Sequence, residues 1–171
     1  MKDRLLGIAG TVLGIANVLN WIAAAGFVIA LALSVPFAPE VMGRLALKYT
    51  TQPVAPILNA MRLMLVLGVL VAYPAHVILT RLGAIIGTAQ TGDPFVAINA
   101  RRLQAVGWAL LAVQLLDIAF GIVIVSLAVR HVDTTGWSPS VGGWISVLMI
   151  FVLARVFAIG TRMRDDLEMT V

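Results

Sequence analysis

Four long apolar stretches, separated by short polar segments, dominate the pattern of hydrophobic and polar positions along the chain. Each stretch reaches the roughly 20 apolar residues that a helix needs to cross a bilayer. The pattern therefore predicts an all-α membrane protein that folds as one domain, a bundle of four transmembrane helices. The predicted spans are residues 11–35, 60–80, 103–129 and 141–159.

The polar segment after the second span carries the clearest helix stop and start signals. Gly92 is typical of the position just past a helix end, Asp93 of an N-cap and Pro94 of a first helical turn. Apolar residues recur with helical spacing through residues 82–89, which predicts that the second helix continues to Gly92. We therefore expect residues 81–102 to form a helical hairpin outside the membrane.

Prolines interrupt the segment between the first two spans, at Pro36, Pro39, Pro53 and Pro56. Because proline lacks a backbone donor, we expect no long regular helix there. Residues 45–50 are a candidate short strand, and the alternative is a loop lying on the surface. Further along the chain, Ser138 followed by Pro139 repeats the cap-then-proline signal and predicts the start of the last helix.

Composition supports membrane insertion. Hydrophobic residues make up 61% of the 171 residues and charged residues 12%, against about 45–50% and about 25% in soluble domains. The net charge of +4 does not indicate direct nucleic-acid binding, because the basic residues lie at the ends of the apolar stretches.

The distribution of basic residues predicts the topology. An arrangement with both termini in the cytoplasm collects Lys2, Arg4, Arg81, Arg101, Arg102, Arg155, Arg162 and Arg164 on the inner side and leaves Arg44, Lys48, Arg62 and Arg130 outside. The positive-inside rule favours this orientation. We therefore predict a multi-pass protein of the bacterial inner (plasma) membrane, surrounded by membrane lipid.

The sequence offers no catalytic template. With no cysteine there is no thiol nucleophile, disulfide framework or cysteine metal site. His76 and His131 fall on opposite sides of the predicted membrane and cannot share a metal. No HExxH motif, nucleophile elbow, phosphate loop or dinucleotide fingerprint is present. We expect no enzymatic activity, no metal and no cofactor.

Six polar residues within the predicted spans are candidates for intramembrane sites: Asn17, Asn20, His76, Gln114, Asp117 and Arg155. Asp117 is the most informative, because an ionisable group in hydrocarbon usually faces a partner or water. By depth, its candidate partners are Gln114, Asn20 and Arg62. One interpretation is a polar clasp between helices, and the other is a ligand pocket or proton-sensitive switch. Asn17, His76 and Arg155 are a candidate second cluster near the cytoplasmic face.

Gly10 and Gly14 form a small-xxx-small pair in the first span. Such pairs let helices approach closely. We expect contact with another helix of the same chain, and the alternative is the seam of a homo-oligomer.

Two motifs carry a family resemblance: Gly92 to Phe95 with Asn99, Arg102 and Leu103, and residues 153–157 followed by Gly160, Met163, Arg164, Asp166, Leu167, Glu168, Thr170 and Val171. With its four spans, the chain resembles the bacterial membrane family known as domain of unknown function 2975. The resemblance implies an integral inner-membrane protein, frequently encoded beside a small helix-turn-helix regulator of the Cro/C1 type.

Both motifs fall on the predicted cytoplasmic side, where hairpin arginines can pair with acidic residues of the tail, residues 160–171. The candidate partner-docking residues are Asp93, Pro94, Phe95, Asn99, Arg101, Arg102, Arg164, Asp166 and Glu168. The predicted function is that of a non-enzymatic signalling or sequestering partner of a cytoplasmic DNA-binding regulator. The alternative is an oligomeric small-molecule transporter or channel subunit that uses the intramembrane polar residues.

Overall fold

The computed structural model describes residues 2–90 and 96–168, with side chains from 4 to 90 and from 96 to 163. Outside turns and short connections, this part of the chain is helical and contains no strand. Its helices are α1 (Lys2–Leu33), α2 (Ala38–Lys48), α3 (Val54–Gln90), α4 (Ala97–Ala128) and α5 (Val141–Glu168).

Helices α1, α3, α4 and α5 each contain a stretch long and apolar enough to cross a membrane. The stretches are Arg4–Leu33, Val54–Gln90, Ala97–Ala128 and Val141–Met163. Only 6% of the most apolar window of α1 and 28% of that of α4 is buried inside the chain, so the remaining apolar surface suits a hydrocarbon environment. The prediction of four long apolar helices is confirmed, and the side on which the termini lie stays a prediction.

The segment between α1 and α3 folds as the short helix α2, so the prediction of a strand at residues 45–50 is wrong. Pro39 lies in the first helical turn, where a missing N–H removes no helix bond. Glu40 in the first turn and Lys48 in the last turn suit the helix dipole. The Tyr49 amide closes the helix by donating to the Leu45 carbonyl oxygen at 2.7 Å.

The last helix begins later than its proline signal indicates. The Ser140 hydroxyl accepts a hydrogen bond from the Gly143 amide at 3.1 Å, and the Ser140 carbonyl accepts from the Trp144 amide at 3.3 Å. Ser140 is therefore the N-cap, and the first helical residue is Val141. The N-cap predicted at Ser138 is therefore two residues too early.

Close backbone contacts divide the chain into two compact units. The first unit contains Met1–Asn20, Pro74–Gln114 and Ser140–Val171. The second contains Trp21–Tyr73 and Leu115–Pro139. In α3 the division falls at Pro74, which lies inside the helix without ending it.

The first unit is packed mainly by α4 against α5. Val106 of α4 is 1% exposed, and Leu103 and Val147 are also buried. The rings of Trp108 and Phe151 meet edge to face, with centroids 5.3 Å apart. These contacts fix the register of α4 against α5, on which the geometry of the groove described below depends.

The second unit has a compact apolar cluster formed by Ile57, Val123, Leu127 and Val132. Val132 reaches this cluster through a reversal of the backbone at the end of α4. His131 has a φ of 55°, and the Val132 amide donates to the Leu127 carbonyl at 3.1 Å. The arrangement is a Schellman cap with histidine in the left-handed position that glycine usually occupies.

Gly10 and Gly14 lie on an open face of α1 in the part of the chain that the structure describes. A Cβ built on either residue would meet nothing within 4 Å in the described structure. The expectation of a close helix contact within the chain is therefore wrong at these two positions, because this face of α1 is open. The alternative, a homo-oligomer seam, stays a prediction.

Candidate functional site

A buried polar network joins the end of α3 to the start of α4. Asn99 is 0% exposed, and its Nδ2 donates to Thr88 Oγ1 at 2.7 Å. Asn99 Oδ1 accepts from Arg102 Nη1 at 2.9 Å, and the same Nη1 donates to the Ala84 carbonyl oxygen at 3.0 Å. We call Ala84, Thr88, Asn99 and Arg102 the hairpin clamp. Its hydrogen bonds join the end of α3 to the start of α4, close to the connection between the two helices.

The clamp changes the roles expected of two docking candidates. The Asn99 side chain is buried and cannot itself present a surface to a partner. The Arg102 guanidinium is partly buried and bonded to α3 and to Asn99, so both residues position the helices. Arg101, which precedes Arg102 on α4, is exposed instead.

The remaining docking candidates lie outside the side chains that the structure describes. Asp93, Pro94 and Phe95 lie outside the described residues, as do the side chains of Arg164, Asp166 and Glu168. The predicted pairing of hairpin arginines with the acidic tail therefore stays a prediction.

An arginine-lined groove of about 440 Å³ runs between α4 and α5 in the first unit. We call it the α4–α5 groove. Its lining residues are Ala97, Ala100, Arg101, Gln104, Phe151, Ala154, Arg155, Ala158, Thr161 and Arg162. The sequence signal that could have located it is the helical spacing of alanines, three apart on α4 and four apart on α5, beside arginines.

Asn17 and His76 lie together in the first unit, whereas Arg155 lines the α4–α5 groove. His76 Nδ1 is 2.8 Å from Asn17 Oδ1. Because an amide oxygen only accepts hydrogen bonds, Nδ1 carries the proton in this arrangement. The pair joins α1 to α3.

Asp117 is held by a tryptophan from the connection between α4 and α5. Trp137 Nε1 donates to Asp117 Oδ1 at 3.3 Å, and the indole lies on Gly121, where a Cβ would overlap the ring. Arg62 donates to Ser34 instead, from Nε to the hydroxyl at 3.1 Å and from Nη2 to the carbonyl at 2.6 Å. The partnership of Asp117 with Arg62, predicted from depth, is therefore replaced by two separate clasps.

Gln114 is buried and acts at the start of α5. Its Nε2 donates to the Ser140 carbonyl oxygen at 3.4 Å, and a Cβ at Gly143 would collide with its amide group. Glycine at this position lets the polar side chain approach the α5 backbone. Asn20, at the border of the first unit, is half-buried.

Within the part of the chain that the structure describes, no group of three or more histidine, cysteine, aspartate or glutamate residues is placed to hold a metal ion. The polar side chains given above bond one helix to another or to a connecting segment, and the arginines of the α4–α5 groove are exposed. This arrangement can bind and position, and the described contacts supply no nucleophile paired with a base.

The fold and these contacts define an all-helical protein with four helices of membrane-spanning length and apolarity. The chain belongs to the family described as protein of unknown function (DUF2975), whose model matches residues 19–171. The resemblance seen in the sequence is thereby confirmed. No curated protein and no solved structure matches the chain.

Proposed function

We propose that the chain is a multi-pass protein of the bacterial inner membrane with both termini in the cytoplasm. In this role it acts without catalysis, as a signalling or sequestering partner of a cytoplasmic DNA-binding regulator. The observation that carries the proposal is the hairpin clamp, because it builds a rigid platform at one end of the first unit.

A docking surface works best when its supporting residues are fixed before the partner arrives. The clamp supplies this support through the bonds from Asn99 to Thr88 and to Arg102. Ile98 and Arg101 alternate with the clamp residues along α4, and both are exposed, Ile98 by 48%. An exposed aliphatic group beside a guanidinium is a combination that protein partners bind.

The orientation of this platform follows from the basic residues. In the described structure, the first unit contains the arginine side chains at 4, 81, 101, 102, 155 and 162, whereas the second contains Arg44, Lys48, Arg62 and Arg130. The positive-inside rule then favours the cytoplasmic side for the basic residues of the first unit. Reporter fusions after residue 171 and near Lys48 test this topology, and a translocated C-terminus would refute it.

The partner class rests on what the family resemblance implies, an adjacent gene for a small helix-turn-helix regulator. The transporter alternative has less support, because it needs polar side chains that face a pathway. Gln114 and Asp117 bond instead to neighbouring segments of their own units.

The decisive experiment is co-expression with the helix-turn-helix protein encoded beside this chain, followed by co-purification in detergent. We expect wild type and the matched control Arg130→Gln to retain the regulator. Ile98→Asp and Arg101→Glu should reduce its recovery about tenfold, as loss of a central interface contact does.

Equal recovery by wild type and both surface variants would refute a hairpin docking site. No recovery by wild type would refute the regulator proposal itself. A solute flux that depends on Asp117 would instead support the transporter alternative.

A further inference from the structure

We propose that the α4–α5 groove binds a phosphate group, carried either by an anionic phospholipid headgroup or by a small free phosphate. The inference does not depend on the regulator proposal, because it concerns a different ligand and, apart from Arg101, a different set of side chains. It rests on the charge of the groove, on its shape and on its place along the helices.

The charge comes from arginines on both walls. Arg101 projects from α4, and Arg155 and Arg162 project from α5. The two α5 arginines are seven residues apart, which places them on one face with a rise of about 10.5 Å. None of the three guanidinium groups forms an ion pair or hydrogen bond with another side chain in the described part of the chain.

Three guanidinium groups around one concavity, without an ion pair to any side chain that the structure describes, repel each other and attract an anion. Guanidinium matches phosphate geometry well, because two N–H groups can donate to two oxygens of the same group. The tetrahedral phosphate also accepts from several directions at once, so donors on two facing helices can share it. A flat carboxylate fits such a divided donor set less well.

The shape of the groove favours a ligand that is partly apolar. Ala100 and Ala154 are buried beneath the arginine rim, and Phe151 borders the same space. The Thr161 hydroxyl already donates within α5, with carbonyl oxygens at 3.1 Å. The groove is thus charged at the rim and apolar at the floor, and its volume of about 440 Å³ exceeds the needs of a phosphate alone.

The position of the groove suits a lipid headgroup. Arg101 lies near the start of the candidate span Ala97–Ala128, and Arg162 lies at the end of Val141–Met163. Helix ends of this kind meet the headgroup region of a bilayer. Basic pockets between transmembrane helices at this level bind the headgroups of anionic lipids.

Native mass spectrometry of the full-length protein in detergent tests the proposal. The probes are phosphatidylglycerol, phosphatidylcholine and inorganic phosphate, each added separately to delipidated protein. We expect wild type to retain phosphatidylglycerol at least about tenfold better than Arg101→Gln/Arg155→Gln/Arg162→Gln. Arg130→Gln, which removes an exposed arginine of the second unit, should bind as wild type does.

Two arms distinguish the source of the phosphate. Retention of phosphatidylglycerol that millimolar inorganic phosphate does not displace assigns the site to a lipid headgroup. Binding of inorganic phosphate that the triple variant loses assigns it to a free phosphate. If the triple variant fails to fold, the single change Arg155→Gln should still weaken binding several-fold.

Two results would overturn the proposal. One is equal retention of phosphatidylglycerol and phosphate by wild type and the arginine variants. The other is that wild type binds neither probe while Asp165→Asn/Asp166→Asn/Glu168→Gln binds one, which would show that the chain's own tail fills the groove. Recovery of the regulator is a separate measurement, so either proposal can fail alone.

Discussion

From the hydrogen bonds of the hairpin clamp we predict how much the Asn99 side chain stabilises the fold. Replacing Asn99 by alanine removes the bond to Thr88 at 2.7 Å and the bond to the Arg102 guanidinium at 2.9 Å. A neutral hydrogen bond contributes about 0.5–1.5 kcal/mol and one to a charged group about 1.5–3 kcal/mol. Because Asn99 is 0% exposed, water cannot replace either bond fully. We expect Asn99→Ala to lower the free energy of unfolding by about 2–4 kcal/mol.

Denaturant titration of the protein in mixed micelles measures this loss, and limited proteolysis of the segment between α3 and α4 reports where it occurs. Asn59→Ala is the matched control, because Asn59 is an exposed asparagine of α3. The control should change stability by no more than about 0.5 kcal/mol. Proteolysis of Asn99→Ala should begin at the hairpin, ahead of the other connections.

A double-mutant cycle with Thr88→Val isolates the bond itself. Valine keeps the shape of threonine and removes the oxygen that accepts from Asn99. We expect a coupling energy of about 0.5–1.5 kcal/mol between the two positions. Additive effects, or an Asn99→Ala protein as stable as the Asn59→Ala control, would refute the clamp as a stabilising network.

Three further predictions concern the second unit. Trp137→Phe removes the donor to Asp117 and should lower stability by about 1 kcal/mol. Asp117→Asn keeps an acceptor and should leave the free energy of unfolding unchanged. A thermal melt in which Asp117→Asn is less stable than Trp137→Phe would contradict the bond between the two residues. His131→Gly relieves a left-handed residue and should raise stability by about 0.5–1 kcal/mol in the same assay, and a lower melting temperature would refute the cap. The hydrogen bond from Lys48 to the Asp133 carboxylate at 3.0 Å raises the pKa of Lys48, so its stabilisation is present at neutral pH and lost as the pH rises through that raised pKa. Because both groups are exposed, Lys48→Gln should cost little, and its deficit against wild type should vanish at strongly alkaline pH.

The long helices were predictable because membrane-spanning length and apolarity are local properties of the chain. Helix α2 was not. Its residues 45–50 are too few to separate a strand from a helical turn by period, and the prolines on either side suggest breaks in the helix. Pro39 instead lies in a first turn, as does Pro56 in α3. A proline that begins a helix and one that separates two helices look alike until the helix direction is known.

The candidate site shows a second limit of sequence reasoning. The helical rise gives the depth of a polar residue but not the direction in which its side chain points around the helix. Depth suggested Arg62 as a partner of Asp117. In the structure Arg62 bonds to Ser34, and Asp117 bonds to Trp137. The partners that were missed lie in connections or at helix ends, whose course depends on the packing of the whole unit.

Arg101 and Arg102 show why adjacent residues of one motif need separate explanations. Consecutive residues of an α-helix point about 100° apart, so they cannot face the same neighbour. Arg102 donates to the Ala84 carbonyl of α3 and to Asn99 of its own helix, whereas Arg101 lines the α4–α5 groove. The first charge holds the hairpin together, and the second forms no ion pair or hydrogen bond with another described side chain. Stability therefore accounts for Arg102, whereas Arg101 is the hairpin arginine on which both proposed binding functions depend.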